Sequence, residues 1–164
     1  MTGRMSVARS SLVLLLMVGL SLASPPEAWG EPGSSALTGA LQIQVENLQN
    51  LGQGQLLVLV YEKVDRVEVN GVKFVRRKIV PVTGERVSVR FPDLPHGDYA
   101  VAVLHDMDED LEADANFIGI PREDLGVSNN AKGGPLGGPK WRAAKFSHRE
   151  QETRLSIKMW RCYR

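Results

Sequence analysis

The stretch that decides the fold runs from Leu94 to Ala131 and reads LPHGDYAVAVLHDMDEDLEADANFIGIPREDLGVSNNA. It begins with a turn and continues as a strand over 98–105, in which alternate side chains from Tyr99 onward share one face. An acidic loop follows the strand, and a segment rich in Gly, Asn and Pro follows the loop. Every candidate for chemistry in this chain lies in or beside this stretch.

The flanking sequence consists of further short strands. Residues 41–46, 86–91 and 154–159 alternate apolar with polar side chains, and 55–61 is apolar on both faces, as a covered central strand requires. Residues 74–82 contain Pro81 and therefore suit an edge, and a short pairing is expected within 143–146. We predict an all-β fold, an antiparallel sandwich of about seven strands over 39–164. Residues 92–97 are predicted as a loop, and 116–140 as one long ordered loop.

The amino-terminal residues predict export. Residues 1–24 combine Arg4 and Arg9 with an 11-residue apolar run, 12–22, which is shorter than the ~20 residues of a membrane span. Cleavage after Ala23 or after Gly30 fits the small-residue rule, and an uncleaved anchor is the alternative. Residues 25–38, rich in Pro, Gly and Ser, are predicted to be a flexible linker. We therefore expect a secreted or periplasmic protein with no membrane span after cleavage.

Charge and cysteine content narrow the function classes. Removing Arg4 and Arg9 with the leader leaves 18 basic against 19 acidic residues, a balance that does not favour nucleic-acid binding. Cys162 is the single cysteine, so the chain forms no internal disulfide. The thiol either is incidental or pairs with another chain in an oxidising compartment.

Three residues at the ends of the 98–105 strand are predicted to be structural. Gly97 precedes Tyr99 by two positions, a spacing that suits a turn followed by a tyrosine corner, in which the hydroxyl bonds to the preceding backbone. His105 ends the strand and is predicted to pack or to cap. A transition-metal site at His105 is a less favoured alternative. A hydrolase that uses His105 with Ser128 is also less favoured, because no nucleophile elbow surrounds Ser128.

The acidic loop is the candidate metal site. Its spaced carboxylates resemble the start of a calcium loop, which gathers hard oxygen ligands around one ion. The residues are Asp106, Asp108, Asp110 and Asp114. A full EF-hand is excluded, because the sixth position holds Leu111 instead of Gly and the twelfth holds Phe117 instead of Glu. Two interpretations stay open: a looser calcium site, or a solvated acidic tip without an ion.

The Gly, Asn and Pro-rich segment is the candidate binding surface. Its asparagines can bond backbone groups and tolerate left-handed conformations. The surface residues that we predict are Asn116, Ser128, Asn129, Asn130 and Trp141. The alternative is a loop that packs on the sandwich through its own apolar side chains.

These landmarks together resemble a known family. The motifs are Gly97-Asp-Tyr-Ala-Val, His105-Asp106 before an acidic loop, Asn116-Phe-Ile-Gly-Ile-Pro121 and Gly126-Val-Ser-Asn-Asn-Ala131, followed by Gly-Pro pairs before an aromatic residue. Over about 38–160 the chain resembles the bacterial family of exported domains of unknown function numbered twenty-one forty-one. The resemblance implies an extracytoplasmic, prealbumin-like or carboxypeptidase-regulatory-like β-sandwich, and it implies no catalytic residues.

We therefore expect a secreted or periplasmic module that binds or supports and does not catalyse, with a protein or cell-envelope component as its partner. One alternative is a calcium-stabilised domain that uses the 106–114 loop. A metal-dependent hydrolase around His105 is the other alternative. We expect no cofactor unless the acidic loop binds calcium.

Overall fold

Two β-sheets pack face to face and enclose the main core. The computed structural model describes residues 37–71, 73–114, 116, 122–134 and 137–161. Sheet A has the strand order β4-β1-β8, and sheet B has the order β3-β2-β5-β6 with β7 paired to β5. The strands are β1 Thr38–Glu46, β2 Gln55–Tyr61, β3 Phe74–Pro81, β4 Arg86–Pro95, β5 Gly97–Asp106, β6 Asp124–Val127, β7 Phe146–His148 and β8 Glu152–Lys158. The predicted all-β sandwich is confirmed, with eight strands in the described part.

Sheet B is covered on both faces because its central strands are apolar on both faces. Leu56, Val58 and Val60 of β2 point into the core between the sheets. Leu57 and Leu59 point the other way, into a second cluster on the outer face of sheet B. Each fully buried side chain of this kind contributes ~1.5–3 kcal/mol of transfer free energy. The prediction that 55–61 forms a central strand is therefore confirmed.

The strands differ from the predictions in three respects. β4 continues through Pro92 to Pro95, where a loop was predicted. Pro92 is tolerated because β4 is an edge strand of sheet A and its register with β1 shifts at that point. The strand β1 pairs with β8 in parallel, so sheet A is mixed. β1 begins at Thr38, the last residue of the predicted linker.

The predicted long loop contains regular structure. Residues 124–127 form β6, which pairs with β5, and Ser128–Asn130 form a short 3-10 segment. The helix α1, Trp141–Ala144, takes the first half of the segment 143–146 in which a brief strand was predicted, and β7 begins only at Phe146. Within the described ranges no helix is long and apolar enough to cross a membrane. The predicted signal peptide and Cys162 lie outside the described residues.

Candidate functional site

The amino-terminal end of β5 is built around Tyr99. The Tyr99 hydroxyl donates to the carbonyl oxygen of Pro95 at 2.9 Å, so the predicted tyrosine corner is confirmed. Gly97 does not have a positive φ; instead, a Cβ atom there would lie 2.9 Å from the Tyr99 ring. Gly97 is thus needed for the space beside the ring. Burial raises the pKa of the Tyr99 hydroxyl.

At the other end of β5, Asp106 is fully buried. One carboxylate oxygen, Oδ2, accepts hydrogen bonds from Gln55 Nε2 at 2.9 Å and from the Leu111 backbone nitrogen at 3.1 Å. The other oxygen, Oδ1, is buried and has no hydrogen-bond partner among the described residues. A buried acceptor on a charged group is expensive to leave unpaired, so this atom requires an explanation.

Glu123 joins the same site from the strand next to β5. Asp124, the first residue of β6, pairs with His105, and this pairing places the preceding Glu123 beside Asp106. Glu123 is buried, and its two oxygens accept the backbone N–H groups of Met107 at 2.9 Å and Asp114 at 3.2 Å. The carboxylate therefore fixes both the start and the end of the acidic loop, which we define as residues 107–114.

Asp106, Asp108 and Glu123 form one cluster of carboxylates. One oxygen from each lies within 4.8 Å of the others. Like charges this close repel one another, most strongly between the buried Asp106 and Glu123 and more weakly at Asp108, which is exposed and screened by water. Burial raises the pKa of the Glu123 carboxyl, and the charges of Asp106 and Asp108 add to the increase, although the two backbone hydrogen bonds oppose it. A proton or a cation is needed to relieve this repulsion.

The other predicted ligands lie outside the cluster. Asp110 uses Oδ1 to accept the Glu112 backbone N–H at 2.8 Å, and Asp114 enters the site through its backbone N–H. Asp124, the buried neighbour of Glu123, is paired with Arg161 at 3.1 Å. The structure thus brings together Asp106 and Asp108 from the predicted set, replaces Asp110 and Asp114, and adds Glu123. Sequence reasoning missed Glu123 because it treated β6 as loop; the alternation of Leu125 and Val127 was the available signal.

The backbone of the acidic loop adopts the shape that calcium loops have at their sixth position. Leu111 has φ 68°, in the left-handed region where such loops carry Gly, and its N–H points at the carboxylate of Asp106. Glu109 also has a positive φ of 65°. The absence of Gly therefore did not prevent the turn, and the reciprocal bonds between Asn70 and Ala113 hold its far end.

His105 faces away from this cluster. Its ring is fully buried, its Nε2 lies 2.9 Å from the carbonyl oxygen of Gln53, and its Nδ1 has no partner among the described residues. A ring with no exposed surface has no access to an external substrate. His105 is not among the three residues of the carboxylate cluster.

The predicted binding surface divides into buried and exposed parts. Ser128 is fully buried, which corrects its assignment to the surface: its hydroxyl donates to the Ala144 carbonyl oxygen at 2.6 Å and accepts the Val101 N–H at 3.0 Å. Trp141 is half-buried against the outer cluster of sheet B. The serine was misassigned because a turn-like sequence gave no indication that its hydroxyl completes the pairing of β5.

Asn129 and Asn130 bond backbone groups and adopt the left-handed conformation, as the sequence predicts. Asn129 and Asn130 are exposed and have φ values of 57° and 51°. The amide of Asn129 donates to the carbonyl oxygen of Lys145 at 2.9 Å, and Asn130 Oδ1 accepts the Lys158 N–H at 2.9 Å. Asn116 is half-buried. The side chains of Asn129 and Asn130 thus hold the 3-10 segment against its neighbours.

Comparison with known proteins identifies a family. The family model described as "Uncharacterized protein conserved in bacteria (DUF2141)" matches residues 43–156, the stretch from the middle of β1 to the fifth residue of β8. No curated protein and no solved structure matches the chain.

Proposed function

The chain belongs to the DUF2141 family of bacterial proteins, and we propose that it is an exported β-sandwich module that binds a partner and does not catalyse a reaction. The leader pattern of residues 1–24 supports export. The partner that we expect is a protein or another component of the cell envelope.

The observation that carries the proposal is the composition of the acidic loop end. Met107 and Leu51 are large apolar side chains that are 38% and 49% exposed. Met107 lies beside the residue that precedes Leu51 in the chain, since the Asn50 amide nitrogen is 3.4 Å from the Met107 sulfur. Exposed apolar groups rimmed by charged ones are typical of protein interaction sites. The acidic side chains of the loop supply that rim.

Buried histidines support a role without catalysis. His105 and His148 are fully buried, and His148 contacts Thr153 Oγ1 at 2.6 Å and the Leu94 carbonyl oxygen at 3.1 Å. Both rings thus serve the packing of the sandwich. General acid–base chemistry requires a titrating group within hydrogen-bond reach of the substrate.

Export is tested by fractionation. The full chain and a chain without residues 1–24 are produced in the same bacterium and located by immunodetection. We expect the full chain outside the cytoplasm and the shortened chain inside it. Equal distribution of the two chains would overturn export.

The binding surface is tested by photocrosslinking in living cells. A photoreactive amino acid replaces Met107 in one variant and Ser156, an exposed residue of β8, in the other. We expect a discrete adduct of one size from position 107 and none from position 156. The same adducts from both positions, or none from either, would contradict a partner site at the acidic loop end.

A further inference from the structure

We propose that Asp106, Asp108 and Glu123 bind one calcium ion, which joins the end of β5, the acidic loop and the start of β6. This inference deepens the proposed function, because it gives a reason for the shape of the surface that would meet the partner. Its test below does not depend on export or on a partner.

Two independent observations indicate a ligand. The first is the cluster itself, three carboxylate oxygens within 4.8 Å of one another. The second is Asp106 Oδ1, an atom of a fully buried side chain that has no partner among the described residues although the other oxygen of the same carboxylate has two donors. A cation bound by the cluster supplies the missing partner and offsets the repulsion of the carboxylates.

The donor set selects the class of cation. All three ligands are carboxylate oxygens, which are hard donors and suit calcium or magnesium. Zinc and copper prefer imidazole or thiolate, and the nearest imidazole, His105, belongs to a different contact with Gln53. Calcium accepts six to eight oxygen ligands in flexible geometry, whereas magnesium demands a regular octahedron. A site assembled from two separate segments and open to water at Asp108, which is exposed, suits calcium better.

The surrounding hydrogen bonds hold the ligands in place before an ion arrives. Glu123 is oriented by the N–H groups of Met107 and Asp114, and Asp106 by Gln55 and by the N–H of Leu111. Ligands that are fixed in this way lose little freedom when they bind. The same bonds connect the ion to the acidic loop, so binding is expected to stiffen residues 107–114.

The test compares two single substitutions in the chain as purified from the producing cells. Asp108→Asn removes a charge from the cluster, and Asp110→Asn removes the same charge two residues away, outside the cluster. Both residues are exposed, so both variants should fold. Calcium affinity is measured by titration calorimetry after treatment with a chelator, and thermal melting is followed with and without calcium chloride.

We expect calcium to raise the melting temperature of the parent and of Asp110→Asn alike, and Asp108→Asn to bind calcium at least tenfold more weakly. Glu123→Gln should bind weakly as well, with circular dichroism confirming that it folds. In nuclear magnetic resonance spectra, calcium should shift the backbone amide signals of Met107, Leu111 and Asp114 and leave that of Tyr99 unchanged.

Three results would overturn the proposal. The first is no heat and no melting shift at millimolar calcium. The second is an equal loss of affinity in Asp108→Asn and Asp110→Asn, which would indicate diffuse attraction to the acidic loop. The third is an equal response to magnesium chloride at the same concentration, which would remove the calcium assignment. None of these results bears on export or on the crosslinking at position 107.

Discussion

The two ends of β5 differ in whether their buried polar groups have hydrogen-bond partners. At the Tyr99 end, the phenol hydroxyl and both nitrogens of His148 have partners. At the Asp106 end, a carboxylate oxygen of Asp106 and the Nδ1 of His105 have none among the described residues. One nitrogen of His96 is also unpaired at the Tyr99 end, but an unpaired carboxylate oxygen costs more because it carries charge. The Tyr99 end therefore serves the fold. The Asp106 end is where a bound ligand can supply a missing partner.

The largest expected effect concerns the close contact behind Asp106. A Cβ atom on Gly54 would lie 2.2 Å from the Asp106 carbonyl oxygen, and Gly54 has φ +62°. Gly54→Ala should therefore lower the free energy of unfolding by ~3 kcal/mol. Gly52 has φ +78° but no atom within 4 Å, so Gly52→Ala should cost only the ~1–2 kcal/mol of a left-handed residue. Urea denaturation compares the two; equal losses would mean that the contact at Asp106 is easily relieved.

A second effect belongs to the middle of β5. Ser128→Ala removes the acceptor for the buried N–H of Val101 and should cost ~1–3 kcal/mol in the free energy of unfolding. Ser147→Ala on β7, where the side chain is exposed, should change it by less than ~0.5 kcal/mol. Denaturant titration of both variants measures the difference. A neutral Ser128→Ala would show that water replaces the hydroxyl.

A third effect distinguishes the Tyr99 end by pH. Tyr61 pairs with Ala100 there, and its hydroxyl donates to the Glu68 carbonyl oxygen at 2.7 Å. Burial, with a smaller contribution from the charge of Glu68, raises the pKa of Tyr61 above its ordinary value of 10.0. Because the pKa of Tyr61 is higher in the folded than in the unfolded chain, the stability that its neutral hydroxyl contributes is fully present below the unfolded pKa. That stability is lost as pH rises from the unfolded pKa through the folded pKa.

Tyr61→Phe should therefore cost ~1 kcal/mol in the free energy of unfolding at pH 7. Above pH 10 the parent should lose stability faster than the variant, so the two curves should approach each other. Denaturation measured between pH 7 and pH 11 tests this expectation. Parallel curves over that range would assign the alkaline loss to other groups.

The smallest effect has the opposite sign and concerns the Asp106 end without calcium. Asp108→Asn removes one of the charges that repel Glu123 and Asp106, so in the presence of a chelator it should raise the free energy of unfolding slightly, by less than ~0.5 kcal/mol. Asp93→Asn, on the exposed part of β4, serves as the control for loss of a negative charge. A destabilised Asp108→Asn would mean that this side chain supports the apo loop.

The features that could be predicted are those whose sequence pattern depends only on nearby residues. β2 is apolar on both of its faces. Tyr99 and the turn before it specify a tyrosine corner through residues close in sequence. The residue type of Asn129 and Asn130 predicts their left-handed backbone, because asparagine tolerates that conformation. These features depend on neighbours within a few positions.

The features that could not be predicted depend on partners far along the chain. β6 has only four residues, and it becomes a strand because β5 offers it an edge. Glu123 therefore joins Asp106 through register, which no local pattern encodes. Pro92 lies within a strand because the outer edge of β4 needs no N–H donor. Two of the three residues of the candidate cation site, Asp106 and Asp108, could thus be predicted from the sequence, and sheet pairing supplied the third.

The parallel pairing of β1 with β8 has a consequence for how the protein folds. The first described strand lies between β4 and the last one, so sheet A is complete only after β8 has left the ribosome. Closing so long a loop costs chain entropy before any contact repays it, and folds dominated by such distant pairings assemble on time scales of about milliseconds to seconds. During synthesis the growing chain consequently lacks the strand that completes sheet A until β8 has emerged.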